Sequence, residues 1–164
     1  MKAIFSFLFL LIGLLSNAQS NQKAEFNFSE ITFHSSACNG VCPDISLLID
    51  NERKVQLIRT VFQSKGVEDT AKSGGYKGIL DEKQYDKLVS LLSKIKWSEV
   101  SFPDVKCCDK PVITIILYYN GGNKKLKSIE PAASTKDLIS FLTDLGATMQ
   151  LPKYDRPMDF EYVL

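Results

Sequence analysis

The residues of this chain whose type and spacing could support chemistry are its four cysteines: Cys38, Cys42, Cys107 and Cys108. Thiols in this number can form structural disulfides, hold a zinc or copper ion as thiolates, or act as a redox pair. Beyond the cytoplasm the surroundings are oxidising, and an even number of cysteines there is typical of disulfides. The chemistry therefore depends on where the chain is located and on which loops bring the thiols together.

The four cysteines allow three pairings. Pairing Cys107 with Cys108 closes a strained ring between neighbours, whereas the two cross-loop pairings each close a loop of roughly 65 to 70 residues, worth about 4 kcal/mol in the chain-entropy model. We therefore favour cross-loop disulfides. A local bond between Cys38 and Cys42, with Cys107 and Cys108 free or strained together, stays open as the alternative. A four-thiolate metal site is less favoured, because the two-residue spacing of zinc knuckles is absent and adjacent cysteines cannot easily both face one ion.

Residues 1–18 have the pattern of a secretory signal peptide. A positive charge at Lys2 precedes an apolar run over residues 4–15, and small residues end the segment. The run is too short for a spanning helix, which needs about 20 apolar residues, and no cysteine follows it as a lipoprotein acylation site. We expect cleavage after Ala18, a mature chain beginning at Gln19 in the periplasm or outside a bacterial cell, and no transmembrane segment after signal removal.

The composition is typical of one globular domain: 164 residues, of which 45% are hydrophobic and 24% charged. Basic and acidic side chains number 20 and 19, and removal of the signal with its one lysine leaves them balanced. A neutral chain gains little from neutralising phosphates, so we expect no nucleic-acid partner. We predict a loose segment over residues 19–25, followed by a single monomeric domain over residues 26–164.

Alternating apolar residues predict β-strands in the first half of the domain. One strand, or two strand pieces, covers Phe26 to Phe33, and a hairpin joins Ile45–Ile49 to Val55–Phe62. The glycine-rich stretch Ser64–Gly78 is predicted to be a long surface connection with a short strand near Tyr76.

Two helices and a second hairpin are predicted in the second half. Asp81 can accept first-turn N–H groups and so begins the first helix. Val112–Tyr119 is apolar at odd and even positions alike, which predicts a strand buried on both faces. A tight turn then leads into the second strand of the hairpin. Ser134 or Thr135 is expected to cap the second helix, and Gly146 to end it.

These elements predict an α+β domain, an antiparallel sheet of about five to six strands with two helices packed on one face. Residues 43–96 and 111–146 share the order proline, strand, turn, strand, helix, which indicates a possible ββα duplication. Cys42 and Cys108 each precede the leading strand of one unit. If the leading strands lie near each other in the sheet, both cysteine loops share one edge.

The run Cys38-Asn39-Gly40-Val41-Cys42-Pro43 is similar to the C-x-x-x-C-P copper motif of the thioredoxin-like copper-delivery proteins that serve cytochrome oxidase. In that family the second cysteine begins a helix, and a histidine far downstream completes the site. Here a strand pattern follows Cys42, and the only histidine, His34, lies upstream. We therefore reject this match and keep thiol redox or metal handling, of copper or zinc, by the four cysteines as the alternative function.

A second resemblance covers nearly the whole mature chain and rests on three groups of residues: Cys38, Gly40, Cys42 and Pro43, then Gly75–Leu80, then Asp109 and Pro111. In these residues and in the order of its elements, the chain is similar to an uncharacterised family of secreted bacterial domains of unknown function, with a C-x-G-x-C-P motif followed by a β-hairpin. The resemblance implies a fold and a location but no reaction. Cys107 and Cys108 are an addition to the family's two-cysteine pattern, so local pairing in two-cysteine members would weaken the case for cross-loop bonds.

The common catalytic patterns are missing from the sequence. Nothing pairs a base with a nucleophile or two carboxylates at a defined spacing, and His34 stands alone at the end of an apolar strand. We expect no catalytic residue, no cofactor and no metal ligand, and we interpret the protein as a non-catalytic binding or interaction domain, braced by disulfides, for an unknown protein or small ligand. The cysteine-bearing edge or the Ser64–Gly78 loop would contact that partner.

Overall fold

The computed structural model describes residues 26–105 and 109–161. The strands in this part of the chain are β1 (Phe28–Ser35), β2 (Asp44–Asp50), β3 (Lys54–Thr60), β4 (Phe62–Ser64), β5 (Val67–Glu68), β6 (Gly74–Ile79), β7 (Ile113–Tyr119) and β8 (Gly122–Ser128). The helices are α1 (Glu82–Leu92) and α2 (Lys136–Thr148), with a short 3-10 helix (Ala133–Thr135) directly before α2. Six antiparallel strands form one sheet in the order β6-β3-β2-β1-β7-β8, while β4 and β5 pair separately. The predicted α+β fold is confirmed.

The sheet has one apolar face, because side chains alternate along each strand. On this face Phe33 of β1 aligns with Leu47 of β2 and Ile115 of β7, and all three side chains are fully buried. Leu88 of α1 and Leu142 of α2 belong to the same hydrophobic core, so both helices cover this face, as expected. We call the opposite side of the sheet the open face.

The order strand, strand, helix occurs twice, as β2, β3, α1 and as β7, β8, α2. The first unit has three further strands, β4 to β6, before its helix. β2 and β7 both pair with β1 in antiparallel fashion, so they run in the same direction and begin at the same end of the sheet. The segments that lead into β2 and β7 are therefore neighbours.

The beginning of α1 follows the sequence prediction. The Asp81 carboxylate accepts the backbone N–H of Gln84 at 2.8 Å, and Asp81 occupies the N-cap position. After the helix, the indole N–H of Trp97 donates to the carbonyl of Leu92 at 3.0 Å, which satisfies a terminal carbonyl. Among the described residues, no helix is long and apolar enough to span a membrane.

The predicted start of α2 is confirmed in position, because Thr135 is its N-cap residue, but the predicted end is wrong. The Thr135 hydroxyl donates to the carbonyl of Ala132 at 2.7 Å, so the expected side-chain hydrogen bond to the first turn of the helix does not form. Gly146 lies inside the helix, which continues to Thr148. A Cβ on Gly146 would lie 2.6 Å from Ile45 Cγ2. The glycine therefore allows α2 to pack closely on β2 and does not terminate the helix.

The Ser64–Gly78 stretch is more regular than the predicted surface connection. Its first part completes the β4–β5 hairpin, and its last part is β6, an outer strand of the main sheet. Tyr76 aligns with Leu57 of β3, so the strand expected near Tyr76 is confirmed. Between the two, the Ser73 hydroxyl accepts the backbone N–H of Val61 at 2.9 Å and anchors the intervening turn to the end of β3.

Residues 150–161, here called the C-terminal segment, pair with the outer edge of β6. The Lys77 N–H donates to the carbonyl of Pro152 at 3.3 Å, and the Tyr154 N–H donates to the carbonyl of Gly75 at 2.9 Å. The Lys77 ammonium also lies 4.2 Å from the centroid of the Tyr154 ring. The segment thereby shields a sheet edge that would otherwise present unpaired backbone groups.

The same segment then crosses the open face towards β7 and β8. A Cβ on Gly75 would point to this face and lie 2.7 Å from Met158 Cε. Farther along, the Glu161 carboxylate accepts hydrogen bonds from the Tyr118 hydroxyl and the Lys125 ammonium. These contacts explain part of the burial on the open side of β7, the strand predicted to be buried on both faces.

Arg59 of β3 is a buried cation that the sequence analysis did not identify, with 4% of its surface exposed. Its guanidinium donates to three carbonyls at the end of α2, those of Gly146, Ala147 and Met149, at 3.0 to 3.1 Å. It also donates to the carbonyl of Lys72 at 2.8 Å. A positive charge at a helix C-terminus is favourable, so Arg59 connects α2 to the sheet and to the turn before β6.

Candidate functional site

Cys38 and Cys42 form a disulfide across one tight turn, with a Cα–Cα distance of 5.0 Å. The turn bends sharply because Asn39 and Gly40 have positive φ angles of 41° and 72°. The Val41 N–H and the Cys42 N–H both donate to the carbonyl of Cys38, at 3.0 and 3.4 Å. We call residues 38–42 the cysteine loop.

The cross-loop pairing favoured from the sequence is wrong for these two cysteines. The left-handed turn brings their Cα atoms within the usual disulfide range, so the bond closes within the turn itself. In the chain-entropy model a loop this short contributes about 2 kcal/mol, against about 4 kcal/mol for the long loops. Cys107 and Cys108 lie outside the described residues.

The cysteine loop is held against the segment that precedes β7. The Asn39 N–H donates to the Asp109 carboxylate at 3.0 Å, and the Val112 N–H donates to the Ser36 hydroxyl at 2.8 Å. The expectation that the two cysteine-bearing segments share one end of the sheet is thus confirmed for the described part of the second segment, which begins at Asp109. Because Asp109 accepts a bond from the loop backbone, this carboxylate has a positioning role.

The cysteine loop also contacts the β4–β5 hairpin. The Gly66 N–H donates to the carbonyl of Gly40 at 2.9 Å. Beside this contact, Val41 is 55% exposed and Val67 is 51% exposed, and they are two of the three large apolar side chains exposed among the described residues. The two surfaces expected to contact a partner therefore lie together.

An apolar cleft of about 540 Å³ lies beside the disulfide, between the cysteine loop, the end of β8 and α2. Its walls are made mainly of prolines and small or branched apolar residues: Pro43, Pro111, Ile113, Pro131, Ala133 and Ile139. Cys42 lines the cleft from the loop, and Thr143 lines it from α2. We call this feature the apolar cleft.

Among the described residues, both charged side chains that line the apolar cleft are cationic. Lys110 and Lys136 contribute to its lining, and no carboxylate from the described residues does so. Lys110 donates to Glu130 at 3.0 Å, with about half of each side chain exposed. The cleft therefore combines an apolar interior with positive charge, which suits a ligand with an apolar body and an anionic group.

His34 lies away from this cleft, on the open face of the sheet. Its Nδ1 is 3.0 Å from the Ser46 hydroxyl, and both side chains belong to neighbouring strands in register. Over residues 26–105 and 109–161, no group of three or more His, Cys, Asp or Glu side chains could hold a metal ion.

The cysteine loop could be identified from the sequence, whereas most of the apolar cleft could not. Pro131, Ala132 and Ala133 form one wall, and their only sequence signal is a short run of small residues between a strand and a helix. Ile139 lies on α2 beside the stripe that packs on the sheet. In the sequence such residues resemble an ordinary connection, because only the fold places the cysteine loop opposite them.

The fold and the site define a small α+β domain with a disulfide-closed loop beside an apolar cleft. The chain belongs to the family described as a domain of unknown function (DUF6438), whose model matches residues 29–148. The match runs from β1 to the end of α2 and so includes the cysteine loop and the cleft, but not the C-terminal segment. No curated protein and no solved structure matches the chain.

Proposed function

We propose that this protein is a non-catalytic binding domain and that the apolar cleft is its binding site. The observation that carries the proposal is the cleft itself. Its volume of about 540 Å³ lies within the range of about 300 to 1,000 Å³ typical of small-ligand sites. Apolar walls supply affinity through the burial of ligand surface, and the few polar groups at the rim supply orientation.

The structure around the cleft supports binding by a preorganised surface. The Cys38–Cys42 bond and the Asn39–Asp109 hydrogen bond limit movement of the loop that forms one wall. A surface that is already ordered loses less conformational entropy when a ligand binds. Val41 of the same loop and Val67 of the neighbouring hairpin are exposed apolar side chains outside the lining of the cleft.

The proposed location is the periplasm or the extracellular space of a bacterium, reached through a signal peptide over residues 1–18. This segment lies outside the described residues, and its composition supports the proposal. Expression of the full chain in a bacterial host, followed by N-terminal sequencing of the exported protein, tests it. The expected first residue is Gln19, and an uncleaved Met1 on cytoplasmic protein would contradict export.

Binding to the apolar cleft can be measured with Nile red, a neutral dye whose fluorescence rises in apolar surroundings. We expect the wild-type protein to enhance the fluorescence and Thr143→Trp to abolish this enhancement, because Thr143 lines the cleft and an indole would fill it. Thr148→Trp is the matched control, since Thr148 is an exposed residue of the same helix. Equal enhancement by wild type and Thr143→Trp would show that the cleft is not the apolar binding site.

The alternative function is thiol redox or metal handling, and one observation favours it. Cys42 belongs to a disulfide and also lines the apolar cleft, so a molecule in the cleft would lie near a reducible bond. A thiol count and an elemental analysis of the exported protein distinguish the two functions. Free thiols, a readily reducible disulfide or a bound metal would favour the alternative over a disulfide-braced binding domain.

A further inference from the structure

We infer that the ligand of the apolar cleft is a free amphiphile with an aliphatic chain and an anionic head group, such as a medium-chain carboxylate, and that the head group lies beside Lys136. The inference rests on the proposed function and specifies its ligand class.

The charge of the cleft carries the first step. Lys110 and Lys136 line it, without a described carboxylate in the lining. Lys110 is already engaged by Glu130 at 3.0 Å, whereas Lys136 forms no ion pair with another residue in the described ranges. Lys136 is also the first residue of α2, where the helix dipole adds positive potential. An anionic head group would therefore be attracted chiefly to Lys136.

The walls of the cleft favour an aliphatic chain over a peptide. An extended peptide binds through backbone hydrogen bonds, and these need free N–H groups on the protein. Pro43, Pro111 and Pro131 line the cleft, and proline has no backbone N–H to donate. A hydrocarbon chain needs no such partner, because its burial is favourable by itself.

The surroundings of the cleft favour a free amphiphile over a membrane surface. Attraction to anionic bilayers is typical of clusters of about four to eight basic residues. Among the described residues, the lining of the cleft contributes two lysines, and one of them is paired with Glu130. The charge of these residues is suited to one head group and is too small for a bilayer.

Displacement of Nile red by three ligands with the same ten-carbon chain tests the inference: decanoate, decanol and decylammonium. We expect decanoate to displace the dye at a concentration about two- to fivefold lower than decanol, the size of effect expected for a solvent-exposed ion pair. Decylammonium should be the weakest because of its like charge. The advantage of decanoate should shrink as salt is added, since salt screens exposed charges.

Two substitutions should change this advantage in opposite directions. Lys136→Met keeps most of the aliphatic stem and removes the charge, so it should abolish the preference for decanoate. Glu130→Gln releases Lys110, so it should strengthen decanoate binding. Glu99→Gln is the matched control, because it breaks a comparable exposed pair with Lys96 at 3.5 Å, in the turn after α1.

The inference and the proposed function fail in different ways. Equal displacement by decanoate and decanol, or an unchanged decanoate preference in Lys136→Met, would overturn the inferred head-group site while leaving an apolar cleft that binds Nile red. Unchanged Nile red enhancement in Thr143→Trp would overturn the proposed function itself. Sedimentation of the protein with phosphatidylglycerol vesicles, together with a failure of decanoate to displace Nile red, would indicate that the cleft binds a membrane surface. This result would overturn the inference of a free amphiphile.

Discussion

Gly40 and Gly66 contact each other through their backbones: the Gly66 N–H donates to the carbonyl of Gly40 at 2.9 Å, and a Cβ on Gly40 would lie 2.9 Å from the Gly66 nitrogen. The φ angle of Gly40 is also positive, at 72°. Glycine is therefore required at position 40 both for the backbone conformation and for the close approach. This contact joins the disulfide-closed loop to the β4–β5 hairpin and places Val41 near Val67.

The contact predicts that Gly40→Ala destabilises the protein more than a glycine substitution at an open turn. Gly121 is the matched position, with a φ of 75° and no atom within 4 Å of a built Cβ. We expect Gly121→Ala to lower the free energy of unfolding by about 1 kcal/mol through backbone strain. Gly40→Ala should cost about 1 to 3 kcal/mol more because of overpacking. Urea unfolding measures both, and equal losses would contradict the role of the contact.

The buried guanidinium of Arg59 predicts a large loss of stability when the residue is changed. Arg59→Met leaves the α2 carbonyls of Gly146 and Met149 without their donor, and we expect the free energy of unfolding to fall by about 2 to 4 kcal/mol. Arg59→Lys should recover only part of this, because an ammonium cannot reproduce the planar set of donors. Arg156→Met is the control, since Arg156 is exposed; a similar loss there would argue against a specific role for Arg59.

The local disulfide predicts a modest contribution to stability. We expect the double substitution Cys38→Ser and Cys42→Ser to lower the free energy of unfolding by about 2 kcal/mol, the chain-entropy value for a short loop. Urea unfolding under non-reducing conditions measures the loss. Changing Cys107 and Cys108 to serine is the matched control and should leave the Cys38–Cys42 bond intact in a peptide map. A loss near 4 kcal/mol, with cross-linked peptides from both cysteine segments, would support the long-loop pairing instead.

Attachment of the C-terminal segment should depend on pH. Hydrogen bonds from Lys125 and then from Tyr118 hold the pKa of Glu161 below its usual value of 4.5. Because the pKa is lowered in the docked state, docking is stabilised above the usual value and is lost as the pH falls through the docked pKa. Burial, then the charges of Asp50 and Glu161, raise the pKa of Glu30. Protonation of Glu30 begins at higher pH and removes its repulsion with Asp50 and Glu161. This gain partly offsets the loss of docking stability in acid.

The pH dependence can be followed by the side-chain NMR signals of Tyr118 and Lys125, which contact Glu161, in a titration from about pH 7 to about pH 3. In acid, we expect the chemical shifts of both side chains to move to the values of the protein with an undocked C-terminal segment. Glu161→Gln should remove the acid transition of these signals. Asp159→Asn, an exposed neighbour in the same segment, should keep it. Signals that stay in the docked position at the lowest pH would contradict the role of Glu161.

Much of the fold could be predicted because its signals are local. Asp81 begins α1 through a bond to a residue three positions away, and such spacing is visible in the sequence. The uninterrupted apolar run of β7 indicates directly that the strand is buried on both faces. Alternation of apolar residues likewise predicted the first hairpin, since it reports which face of each strand meets the core.

The remaining features depend on contacts between distant segments. Gly146 has the residue type of a helix end, and only the position of Ile45 on β2 shows that it serves close packing. In the sequence, Arg59 is one basic residue in a strand pattern. Its role becomes visible only in the fold, where the end of α2 lies over its guanidinium. The cross-loop pairing of Cys38 and Cys42 is wrong because long-loop entropy does not reveal the left-handed turn at Asn39 and Gly40, which brings the two thiols together.

The C-terminal segment has a practical consequence for the design of expression fragments. The family match ends at Thr148, and a fragment truncated there would leave the outer N–H of Lys77 and the outer carbonyl of Gly75 unpaired. A bare outer strand of this kind can recruit the strand of a second molecule and begin a growing intermolecular sheet. Fragments that extend through Glu161 carry their own protection against this self-association.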